Sequence, residues 1–178
     1  MIRTRVGYAG GKSPAPTYRR IGDHSETIQI DFDPTRISYR RLMKMFWNSH
    51  DPTARSGSRQ YRAAVFYHDA EQQRAALETR DQAAERLKRP IRTDIRPFAG
   101  FTRAEAYHQK YYLRNRRELM QEFDRFGFSD RQLTDSTAAA RINGYLGGHG
   151  TRKQLENDLP LLGLTGAGQD RLRRIVGQ

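Results

Sequence analysis

Along residues 27–33 apolar and polar side chains alternate, with Ile28, Ile30 and Phe32 on one face and Thr27, Gln29 and Asp31 on the other. A period of two marks a strand with one buried face. Residues 2–6 also read as strand, and Gly10, Gly11, Pro14 and Pro16 then form an irregular loop. Asp33-Pro34 breaks the second strand, and Ser38 is the expected N-cap of a helix reaching about residue 48. The apolar face of that helix uses Leu42, Met45 and Phe46, spaced three and four apart.

A loop follows that holds His50, Asp51 and Pro52 and continues through Gly57. Residues 63–67 predict a short strand, residues 70–87 a long charged helix closed by Pro90, and residues 91–95 another short strand. A helix rich in Tyr and Arg is expected over residues 103–123. In the tail, Ser136 opens a short helix that Gly147, Gly148 and Gly150 end, and residues 151–157 and 169–176 predict two more. Short strands interleaved with helices point to an α+β layer fold rather than a long parallel sheet. The expected division is a first domain over residues 1–125 and a helical C-terminal extension over residues 126–178 packed on it.

Composition narrows the chemistry. The chain has 178 residues, enough for one real core, and neither a membrane-length apolar run nor a signal-peptide layout. The expected location is therefore the cytoplasm. The net charge of +12 invites a nucleic-acid reading, but the cations are scattered, as on a solvated Arg-rich surface. There is no cysteine, which excludes disulfides, thiolate metal sites and cysteine nucleophiles within this polypeptide. Five His without close pairing do not compose a metal site, so no metal and no bound cofactor are expected. Gly7, Gly10 and Gly11 lack the spacing of a phosphate loop.

Four stretches occur in a telling order. Val6-Gly7-Tyr8-Ala9-Gly10-Gly11 leads to Pro16-Thr17-Tyr18; Asp23-His24-Ser25-Glu26 leads into the alternating strand. His50-Asp51-Pro52-Thr53 precedes Gln60-Tyr61-Arg62, and Ala104-Glu105-Ala106-Tyr107-His108-Gln109-Lys110-Tyr111 comes last. Each motif is weak alone, but together they resemble the A-type peptide methionine sulfoxide reductases from the first residue to about Tyr112. The tail resembles an extension seen in one branch of that family.

The resemblance implies a ferredoxin-like mixed-sheet sandwich, and reduction of methionine-S-sulfoxide in proteins as a repair of oxidative damage. It also implies a thioredoxin-like or other thiol reductant and no organic cofactor. The family's nucleophile lies in a Gly-Cys-Phe-Trp-Gly turn upstream of the Val-Gly-Tyr stretch, between a first strand and first helix. This chain is expected to lack that segment and to be inactive as it stands. The loop between Thr53 and Gln60 is short and holds no counterpart to the aspartate the family carries there.

By the same resemblance Glu26 is the acid that protonates the sulfoxide oxygen, a role that needs desolvation to keep a carboxyl protonated near neutral pH. Tyr8 and Tyr61 are the phenols that donate hydrogen bonds to the developing oxyanion. His24 is expected to tether its loop, His50 and Asp51 to fix a turn, and Trp47 to sit in the core. Two further readings stand beside reduction. One is a catalytically dead module that binds oxidised methionine; the other is a basic nucleic-acid-binding domain, which no aromatic–basic strand motif supports.

Overall fold

The computed structural model describes residues 2–177. The chain divides into two compact units, one of Val6–Ile28 with Phe32–Ala104, the other of Met1–Arg5, Gln29–Asp31 and Glu105–Gln178. Elements run in the order β1 (Arg3–Ala9), β2 (Ser25–Asp31), α1 (Tyr39–Asn48), β3 (Ala64–Tyr67), α2 (Ala70–Leu87), β4 (Asp94–Pro97) and β5 (Phe101–Arg103). Then follow α3 (Tyr111–Arg114), α4 (Arg117–Asp124), α5 (Asp130–Asp135), α6 (Thr137–Leu146), α7 (Arg152–Asp158) and α8 (Gly166–Val176). The α+β class is as the alternating short elements imply.

Two small sheets form. β1 lies between β2 and β5, with Gly7 opposite Arg103, Tyr8 opposite Thr102 and Ala9 opposite Phe101 in the antiparallel pair. β3 pairs in parallel with β4, Val65 opposite Ile95, and α2 supplies the crossover that a parallel pair needs. α2 keeps the expected bounds: Asp69 accepts the Gln72 amide at its start, and Lys88 closes it in the left-handed conformation at φ 51°.

The core of the first unit joins Met43, Trp47, Val65, Ala76 and Ala83. Alanines on α2 let α1 approach closely, and Trp47 Nε1 donates to Thr79 Oγ1 at 3.0 Å, satisfying a polar atom inside an apolar cluster. The expected core role of Trp47 holds, and Phe46 packs against the same cluster, but the expected apolar face of α1 fails at Met45. Met45 is 59% exposed, and the buried stripe is Met43 with Trp47, four apart. The large indole sets which side turns inward. Ile28 departs in the same way: it is 56% exposed, because β2 is an edge strand and no described residue covers that position.

The single helix expected over residues 103–123 is broken into the end of β5, a 3-10 turn at Ala106–His108, α3 and α4. Two backbone positions cause this. Lys110 is left-handed at φ 53°, its ammonium donating to the Thr4 carbonyl at 2.6 Å and to Thr4 Oγ1 at 3.0 Å. Arg116 leaves helical space at φ −118°, ψ 80°. Arg5 adds a second tie within the second unit, donating from Nε to Asp135 at 2.6 Å and from Nη1 to Gln29 at 2.9 Å.

Leu113, Leu119, Ile142, Leu155, Leu159 and Leu172 make a fully buried core between the short helices. Helices this short are marginal alone, so capping and packing must hold them. Ser136 caps α6 as expected, Thr151 and Gln154 form a capping box on α7, and α5, unforeseen from the sequence, is capped by Ser129 with Gln132.

Glu122 on α4 is the main polar group in this core. Its carboxylate accepts the Thr165 amide and the Thr165 hydroxyl, each at 2.9 Å, so it anchors the cap of α8. Burial alone would raise its pKa; the two Thr165 hydrogen bonds, with Arg125 and Arg171, outweigh that and leave it below 4.5. Because the folded value is depressed, the contribution is present above pH 4.5 and is lost as the pH falls through the folded value. Glu122→Ala is expected to lower the unfolding free energy by about 2–3 kcal/mol at neutral pH. Urea titrations followed by circular dichroism should show that gap narrowing in acid.

Candidate active site

The first unit also holds the first three motifs, and its loops fold around three fixed points. The loop after β1 is organised by Asp23, whose carboxylate accepts the amides of Ser13 at 2.9 Å and Lys12 at 2.9–3.0 Å. Those bonds to Ser13 and Lys12 hold the Asp23 carboxyl well below the usual carboxylate range. His24 is the second point. It is buried, with Nε2 2.9 Å from the Ser13 carbonyl and Nδ1 3.3 Å from the Gly11 amide. A proton on Nε2 satisfies both contacts, so the ring tethers the loop as expected.

Gly10 and Gly11 are required by close approach. Gly10 has φ 79°, and a Cβ there would sit 2.5 Å from the Phe66 ring; one on Gly11 would sit 2.5 Å from the Asp23 carboxylate. The third point is Arg62, which donates from Nε to Ser25 Oγ at 2.7 Å and from Nη2 to the Gly10 carbonyl at 3.3 Å. Its Nη1 lies 3.5 Å from Asp94. Ser25 in turn donates to the Arg59 carbonyl at 2.9 Å, and the Glu26 amide donates to the Gln60 carbonyl at 2.9 Å.

This framework sets Glu26 against Gln60, the residue before Tyr61. The Glu26 carboxylate accepts the Gln60 side-chain amide at 2.6 Å. Tyr61 is hydrogen-bonded to Tyr18, and that bond first, then the charges of Tyr18 and Glu26 with slight desolvation, raises the Tyr61 pKa. A phenol so held stays neutral and keeps a proton to donate. Tyr18 was legible only as part of the Pro16-Thr17-Tyr18 motif; no spacing signal marks it as a partner of Tyr61, 43 positions on. Tyr8 sits elsewhere in character, on β1 and 2% exposed.

Glu26, Tyr18 and Tyr61 are all exposed, Tyr61 by 61%. The desolvation that an acid role requires is therefore not supplied by the described residues. His50 and Asp51 fix a turn: Asp51 accepts the Thr53 amide at 2.9 Å and hydroxyl at 2.7 Å, which lowers its pKa. His50 Nδ1 lies 3.0 Å from the Phe46 carbonyl. Among the described residues no three His, Asp or Glu side chains are grouped as a metal site. No helix among them is long and apolar enough to cross a membrane.

An α+β unit that presents a carboxylate beside a bonded phenol pair is a polar, donor-rich site without a metal cluster among its described residues. Comparison with known proteins assigns the family. Residues 1–141 match the model of the peptide methionine sulfoxide reductases, and residues 127–170 match the helical domain of selenoprotein methionine sulfoxide reductase A. The chain belongs to the peptide methionine sulfoxide reductase family.

A Drosophila melanogaster peptide methionine sulfoxide reductase is 40% identical over 167 residues, covering 93% of this chain and 67% of that protein. Peptide methionine sulfoxide reductase A5 of rice is 37% identical, covering 82% of this chain and 59% of its own length. Crystalline Mxr1 from Saccharomyces cerevisiae in reduced form is similar with a TM-score of 0.59 at 31% identity, over 63% of this chain and 70% of that one. The chain thus spans about three fifths to two thirds of the length of these two curated relatives.

The tight packing at Gly10 gives a direct check on this framework. Gly10→Ala must either push the Phe66 ring or leave its left-handed backbone, and is expected to cost about 1–3 kcal/mol. Thermal denaturation of the variant beside the parent chain measures it. A stability equal to the parent's would show that the loop does not depend on this contact.

Proposed function

We propose that this chain forms the sulfoxide-binding half of a peptide-methionine (S)-S-oxide reductase, with Glu26 and Tyr61 as its chemical groups. Support for this comes from one observation above the others: in a chain of this family the Gln60 side chain holds the Glu26 carboxylate, and the next residue, Tyr61, is bonded to Tyr18. Tyr61, kept neutral by Tyr18, donates to the sulfoxide oxygen as negative charge develops there. Glu26 supplies the proton once substrate and covering segments exclude water from it. Tyr8 supports the site from β1.

The net reaction needs a thiol. A thiolate attacks the sulfoxide sulfur, the oxygen ends on the attacking sulfur as a sulfenic acid, and the thioether is released; a second thiol condenses with the sulfenic acid to a disulfide and water, and exchange with a thioredoxin-like or small thiol frees the first. These 178 residues contain no cysteine, so all of these thiols come from outside them. By themselves they bind the sulfoxide without turning it over, which makes binding of oxidised methionine the function of this chain taken alone.

Fluorescence anisotropy with a labelled methionine-sulfoxide peptide and its unoxidised twin tests the reading. The oxidised peptide is expected to bind more tightly. Glu26→Gln, Tyr61→Phe and Tyr18→Phe are each expected to weaken it by about 3–10-fold, the worth of one hydrogen bond, and Tyr8→Phe by less than about twofold. With dithiothreitol the chain should release no methionine above background. Equal affinity for both peptides would end the proposal.

A further inference from the structure

The loops around the candidate site carry cations that their own acids do not balance. Lys12, Arg19, Arg20, Arg55 and Arg59 are exposed, and among the described residues none of their side chains pairs with a carboxylate. Other arginines of the same unit do pair: Arg40 with Glu78, Arg80 with Asp81, Arg89 with Asp51 and Arg96 with Asp94. The local acids are committed already, Asp23 to the Lys12 and Ser13 amides and Glu26 to Gln60.

Position ties these cations to the phenols. Arg19 and Arg20 follow Tyr18 directly, and the Arg20 amide closes a turn on the Thr17 carbonyl at 3.0 Å. Arg59 precedes Tyr61 by two residues, and its carbonyl is held by Ser25. Since Tyr18 and Tyr61 are bonded to each other, both segments that supply the phenol pair also carry arginines with no carboxylate partner among the described residues.

We propose that this rim selects methionine sulfoxides whose neighbours in the peptide are acidic. The inference rests on the function proposed above and adds its substrate class. A polar but uncharged sulfoxide suits the Glu26–Tyr61 centre, and carboxylates two or three residues away on an extended chain, at about 3.3 Å per residue, suit the arginines around it. A nucleic acid fits less well, because its unbroken phosphate run would cross the Glu26 carboxylate.

An exposed ion pair adds up to about fivefold in affinity. Two engaged pairs should therefore favour an acidic-flanked sulfoxide peptide over a Ser-flanked one by about 3–20-fold at low salt. The preference should vanish near 1 M salt, where the screening length is about 3 Å.

Anisotropy titrations of the full chain with labelled sulfoxide peptides flanked by Asp, Ser or Lys, an Asp-flanked unoxidised control and a single-stranded oligoribonucleotide decide the matter. The expected order is Asp over Ser over Lys. The Arg19→Gln/Arg20→Gln/Arg59→Gln variant should erase that order while keeping the preference for sulfoxide over methionine. If flanking charge has no effect but the oxidised peptide still binds better, the selectivity is overturned and the proposed function stands. If oxidised and unoxidised Asp-flanked peptides bind alike, the function fails and this inference with it. Tighter binding of the oligonucleotide than of any peptide would also overturn it.

Discussion

Arg62 is the side chain on which the site depends. Its guanidinium reaches the start of β2 through Ser25, the loop after β1 through the Gly10 carbonyl, and β4 through Asp94. A planar guanidinium spreads its donors over three nitrogens and so reaches three segments at once, a span the single nitrogen of a lysine does not match. The neighbours of Arg62 inherit their positions from it. Gln60 is placed against Glu26, and Tyr61 against Tyr18, because residues 59–62 are locked to β2 at both Ser25 and Glu26. The glycines answer the same constraint from the other side, since a side chain on Gly10 would press on Phe66 and Arg62 together.

Much of this was legible in the residues. The bounds of α2 follow from Asp69, Pro90 and the apolar spacing between them, because local capping and propensity agree there. The cap at Ser38 and the opening of α6 at Ser136 follow for the same reason. What could not be read was decided by contacts distant in sequence. The break at Lys110 depends on Thr4, more than one hundred positions earlier, while the local pattern of Tyr and Arg argues for a continuous helix. Met45 and Ile28 look like core by periodicity; which face a strand or helix buries depends on what packs against it.

The site divides along the same line. Motif order pointed to Glu26 and Tyr61 as candidates, and the family match agrees with the family reading of the stretch that carries them. Tyr18 was invisible as a functional partner because its contact with Tyr61 arises only when the loop after β1 closes on His24 and Asp23. Backbone hydrogen bonds to an acid and an imidazole leave no periodic trace in a sequence.

The exposure of Glu26 sets the condition under which such a site can do chemistry. A hydrogen bond to Gln60 orients the carboxylate but does not remove it from water. Protonating a sulfoxide oxygen near neutral pH requires a dry acid, and the strength of the phenolic hydrogen bonds also rises as water leaves. Whatever brings a thiol to the sulfoxide sulfur therefore has a second task, to cover Glu26 and the phenol pair. Chemistry and desolvation are then supplied by one approach. Under the proposed function, a site open to water would bind the sulfoxide yet leave its oxygen without a proton, so the thiol and the cover over Glu26 would have to arrive together.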